Sequence, residues 1–69
     1  MYKLDVLRGK ISGHGDVQEI ANITGYNASY VRKVLMGQRH SDLIVRVAND
    51  LVMMREKIYD KYKNIKIEV

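Results

Sequence analysis

Arg32 and Lys33, with Ser29 one turn earlier, are the side chains of this sequence best equipped for chemistry, and that chemistry is binding. At i, i+3 and i+4 they share the outward side of a short helical segment. Ala28 stands at its first turn and Met36 at its far end. A guanidinium donates through a fixed fork, an ammonium as a compact charge, and a hydroxyl both donates and accepts. Such a face suits an anionic, acceptor-rich partner. The plainer reading is a solvated helix surface.

Other chemistries find little footing. His14 and His40 are the only histidines, no cysteine accompanies them, and both read as ordinary loop residues rather than zinc ligands. In GKISGHG, Gly9-Lys10 is followed by Ile11 rather than Ser or Thr, which makes a flexible connector and not a phosphate loop. Asn22-Ile23-Thr24 and Asn27-Ala28-Ser29 fit the glycosylation sequon, but with no secretory signal both read as chance matches. No Ser, His and Asp grouping suggests catalysis. The expectation is a protein that is not an enzyme and uses no metal or cofactor.

Length and charge agree with binding. With 69 residues the chain supports one domain, 1–69, and no separate effector domain. A domain this small buries only about 60% of its unfolded surface, and without cysteine it depends on helix packing, oligomerisation or both. Twelve Lys and Arg against eight Asp and Glu give a net charge of +4, which favours an anionic partner, most commonly nucleic acid. The longest apolar run, Leu51–Met54, falls far short of the ~18 residues a membrane span needs. A cytoplasmic protein with no membrane contact is expected.

The elements that must position the basic face are punctuated by glycine alone, since there is no proline. In Tyr2–Arg8, Tyr2, Leu4 and Val6 alternate like a strand, yet Leu4, Leu7 and Ile11 have helical spacing, and a short helix is favoured. Asp16 with Glu19 makes a capping-box pattern, after which Val17, Ile20, Ala21 and Thr24 share a face until Gly25 ends the helix. Asn27 caps the next helix, with Tyr26 and Val31 placed as a hydrophobic staple. Val31, Val34 and Leu35 face inward, and Gly37 supplies the stop.

A fourth helix is expected over about 42–63. Ile44, Val47, Ala48, Leu51, Met54, Ile58 and Tyr62 mark one stripe. Val45, Val52 and Tyr59 mark a second row beside it. Together they cover roughly 200° of the helix, more than the ~100° that one core contact needs. The second row is therefore read as a dimer surface. Arg55, inside the stripe, either snorkels to solvent or pairs with an acid such as Glu56 or Asp60 of the partner subunit. Ile65, Ile67 and Val69 alternate with Lys66 and Glu68, as in a short terminal strand or an extended tail.

Residues 17–36, VQEIANITGYNASYVRKVLM, resemble the helix-turn-helix of phage-repressor-like and lac-repressor-like DNA-binding proteins. Ala21 stands at the family's small residue and Gly25 at its turn glycine. Ile20, Tyr26, Val31 and Val34 match its buried apolar positions, and Gly37-Gln38-Arg39 looks like its basic exit. Thr24 departs from the pattern, where many members carry a larger apolar residue. So does the fourth helix, which is longer than a minimal domain needs. Independently of the resemblance, two short helices at ~90–120° need a tight turn and a small contact residue, which glycine and alanine supply.

The resemblance implies an all-α, compact helix-turn-helix domain of about four helices. It also implies a small transcriptional regulator that reads double-stranded DNA through a recognition helix at about 28–36. Ala28, Ser29 and Lys33 then occupy positions that meet base edges, with Arg32 beside them. Arg32 is the best candidate for bidentate guanine recognition, while Ala28 offers apolar contact, for instance to a thymine methyl. Lys10, Gln38 and Arg39 fall to the phosphate backbone. A homodimer would set two recognition helices about 34 Å apart and predict a palindromic site. No small-molecule effector is implied. The alternative is a protein-interaction module in which the apolar surface of Ile44–Tyr62 is the working face. RNA is a weaker option, because no aromatic pair lies on the contact face.

Overall fold

Helical spacing prevails over alternation at the start of the chain, because Leu7 is fully buried while Val6 stays 45% exposed. A computed structural model describes residues 1–11 and 13–63, with backbone alone at 13 and 14. It contains four helices: α1 (Leu4–Lys10), α2 (Gly13–Thr24), α3 (Ala28–Leu35) and α4 (Asp42–Tyr62). The described residues are all-α. The alternating tail at 65–69 lies outside them. Among the described residues no helix is long and apolar enough to cross a membrane.

Local signals set most boundaries. The Asn27 side chain accepts a hydrogen bond from the Tyr30 amide at 2.8 Å, and the Ser41 side chain accepts from the Ile44 amide, so both start α-helices as N-caps. Gly25 and Gly37 take φ values of 84° and 82°, the left-handed region that lets a helix end without a Cβ clash. After α3 the Gly37 amide donates to the Val34 carbonyl and the Gln38 amide to the Lys33 carbonyl, the paired bonds of a Schellman stop.

The beginning of α2 differs from expectation. Its helix starts one turn early, so Gly13–Gly15 is helical rather than a loop, and Asp16 lies inside the helix instead of capping it. The reason is a distant partner. The two terminal guanidinium nitrogens of Arg55, Nη1 and Nη2, donate to the Asp16 carboxylate, the first at 2.9 Å, and tie α2 to α4. The Asp16 side chain is only 11% exposed, so a charge there requires a close counter-ion. This also settles Arg55: it pairs within its own chain, and the bond to Asp16 holds its pKa above the ordinary value.

Leu7, Ile20, Val31, Val34, Ile44 and Val52 are the large, fully buried side chains around which all four helices pack. Val52 is thus core and has no surface to offer a second chain. Of the row read as a dimer surface, Val45 is half-buried against the same core and Tyr59 alone is open, at 70% exposed. The physical reason is a choice between rows. The wide apolar arc of α4 turns Ile44, Ala48 and Val52 inward and leaves Met54, Ile58 and Tyr62 outside.

A polar cluster fastens α1 to α4. The Tyr2 amide donates to the side-chain carbonyl of Asn49, which is buried, and the Tyr2 hydroxyl donates to Glu56. Lys10 Nζ lies 2.6 Å from Glu56 and 5.0 Å from the Tyr2 ring centre. The Lys10 bond, then the Tyr2 bond, hold the Glu56 carboxyl below its ordinary range. Bonding to Glu56 in turn raises the Tyr2 and Lys10 pKa values.

Asp16→Asn removes the charge that Arg55 faces and should cost about 1–3 kcal/mol in urea denaturation. Replacing both partners by apolar residues, Asp16→Leu with Arg55→Met, should recover part of that loss. An unchanged midpoint in the single variant would show the pair to be idle. For Glu56, the folded protein binds the carboxyl proton more weakly than the unfolded chain does. Its stabilisation is therefore present above the ordinary carboxylate range and is lost as pH falls through the folded value. Urea midpoints taken from about pH 7 to about pH 3 should fall less in Glu56→Gln than in the parent. Identical acid-side profiles would remove Glu56 from this account.

Candidate nucleic-acid interface

The eight residues of α3 divide by side. Val31, Val34 and Leu35 are 0%, 1% and 4% exposed, while Ser29, Arg32 and Lys33 are all exposed. Ala28 is half-buried and packs its methyl against the core, so it shows only an edge at the first turn. Met36, 60% exposed, closes the outer face at its far end. The structure therefore brings Ser29, Arg32 and Lys33 to one open face.

The turn before α3 sets how that face is presented. The Gly25 amide donates to the Ala21 carbonyl at 2.9 Å, and Ala21 is 5% exposed. Thr24, half-buried, donates its hydroxyl to the Ile20 carbonyl at 2.8 Å and accepts from the Tyr26 amide at 3.4 Å. A larger apolar residue could not make that double link. Of the four positions expected to be buried, Ile20, Val31 and Val34 are, but Tyr26 is 43% exposed, and its ring packs on Tyr30 with centroids 4.9 Å apart and a 34° tilt. Tyr30 thereby braces the turn from the first turn of α3.

The exit from α3 carries more cation. Gln38 and Arg39 are exposed, and Arg39 Nη1 donates to the Gln38 carbonyl at 3.0 Å. Lys10 belongs elsewhere, in the α1–α4 cluster, with its charge already opposed by Glu56. The cation that α1 brings to this end is Arg8. Its Nε donates to the Leu35 carbonyl at 2.6 Å, and its guanidinium reaches the neighbourhood of Gly37. A cation at a helix C-terminus satisfies a spare carbonyl and opposes the helix dipole. Sequence reasoning missed Arg8, because its partner is 27 positions away and no local spacing announces it.

Among the described residues no group of three or more His, Cys, Asp or Glu side chains could hold a metal ion. His40 lies 3.1 Å from Asp42, and both are largely exposed at the start of α4. The chemistry available on the α3 face is hydrogen-bond donation and positive charge. Protein-family models, curated proteins and solved structures yield no match to the chain.

Because Asn27 fixes the first turn of this short helix, Asn27→Ala should lower stability by about 0.5–2 kcal/mol, whereas Asn27→Asp should keep most of it. Equal losses in the two variants would show that the cap is not what holds the turn.

Proposed function

We propose that the chain is a sequence-specific, double-stranded DNA-binding protein of helix-turn-helix type, a small regulator whose α3 enters the major groove. One observation carries the reading: Ser29, Arg32 and Lys33 are open to solvent on a helix whose other side is the core. A groove about 12 Å wide admits a helix presented in this way. The net charge of +4 supplies the attraction to phosphate.

Within this reading each residue has a role that its chemistry permits. Arg32 forks onto a guanine, Lys33 serves a base edge or a phosphate, and Ser29 contacts either. Ala28 offers a methyl edge. Gln38 and Arg39 lie along the backbone, and Arg8 stiffens the exit that carries them. The uncovered apolar side of α4 favours a second reading, a protein-interaction module in which the α3 cations only solubilise the chain.

Anisotropy titration of a duplex at several salt concentrations separates the two. A phosphate interface loses affinity steeply as salt rises, with log K linear in log salt. Arg32→Ala should cost roughly 1–3 kcal/mol and relax preference at one base position, while Lys33→Ala, if on phosphate, weakens all sequences alike and reduces the salt slope by about one. Negligible binding at every salt concentration would leave the interaction module as the better reading.

A further inference from the structure

The outward side of α4 carries an apolar stripe that the core leaves uncovered. Met54, Ile58 and Tyr62 are 64%, 58% and 52% exposed, and they continue a row begun by the half-buried Val47 and Leu51. Ile23 of α2, 56% exposed, joins the row, since Ile23, Val47, Leu51 and Met54 line one groove with Asp50. With large side chains at about 200 Å² each, the four exposed members alone leave roughly 450 Å² open, at the upper end of what a monomer tolerates. Paired with an equal patch, and with Val47 and Leu51 added, the buried area reaches about 1,000 Å², where specific interfaces begin.

We propose that a second copy of this chain covers the stripe, with α4 antiparallel to α4 about a twofold axis that passes beside Met54. The row fits its own reversal. Val47, Leu51, Met54, Ile58 and Tyr62 step by four, three, four and four positions, the spacing of a helix–helix seam. With the axis between positions 54 and 55, Leu51 meets the partner's Ile58, Val47 meets the partner's Tyr62, and the two Met54 side chains meet each other.

Charge selects this orientation. Asp50, Lys57 and Lys61 fall on one flank of the stripe at 3.6 residues per turn. Among the described residues neither Asp50 nor Lys57 has an ion-pair partner in its own chain. In the antiparallel register Asp50 comes to lie between the partner's Lys57 and the partner's Lys61, twice over by symmetry. A parallel pair about a twofold axis would instead set this flank against the opposite edge of the partner helix, the edge that packs on its own core, and Asp50 would meet neither lysine. The surface is distinct from the row Val45, Val52 and Tyr59, and the inference does not depend on DNA binding.

Sedimentation equilibrium on the intact chain tests it. The parent should run at twice its 8.0 kDa mass at about 100 µM. Met54→Glu, which sets two like charges at the axis, should run at 8.0 kDa. Asp50→Lys should weaken the dimer by about tenfold or more, and adding Lys57→Asp and Lys61→Asp should restore it. Tyr59→Glu, off the stripe, should leave the mass unchanged. A parent that stays at 8.0 kDa would overturn the proposal, as would a dimer indifferent to Met54→Glu. Failure of the triple charge reversal to rescue Asp50→Lys would equally reject the antiparallel register.

Discussion

An eight-residue helix cannot hold itself together in water, so α3 depends on what the rest of the chain holds it with. Its inner side chains are buried beneath α2 and α4, its first turn is capped by Asn27, and its last carbonyls are met by Gly37, Gln38 and Arg8. These restraints hold the inner side and the ends of α3, and Ser29, Arg32 and Lys33 are exposed on its outer side. A helix held in this way keeps an exposed polar face in a fixed place.

The support is itself held by long-range polar contacts, which is unusual weight for a chain this short. Asp16 and Arg55 join α2 to α4 across 39 positions, and Glu56 gathers Lys10 and Tyr2 from the start of the chain onto the same helix. With a small apolar core and no disulfide, α4 serves as the common beam for the other three. Its 21 residues, about 32 Å at 1.5 Å each, outrun that work, and positions 57–63 are all exposed. One helix thus completes the core with its first half and offers free surface with its second.

What could be read from the sequence was whatever is written locally. Asn27 as a cap, Gly25 and Gly37 as stops, and the split of α3 into apolar and basic sides all depend on neighbours within four positions. The start of α2 was not legible, because Asp16 looks like a cap until Arg55 is brought beside it. The faces of α4 were half legible. An apolar arc of about 200° announces two contacts but not which row meets which, and packing beneath α1, α2 and α3 decided for Val52 over Met54. Arg8 was hidden for the same reason as Asp16: its role is defined only by a distant carbonyl.

We propose that nucleic acid docks on the outer face of α3 and not on the free surface of α4. Amide chemical shifts of the labelled protein, followed while a short duplex is added, test it most directly. The amides of Ala28–Leu35 and of Gly37, Gln38 and Arg39 should move first and furthest, while those of Met53–Tyr62 hold their positions. Shifts confined to α4, or none at all at low salt, would contradict it.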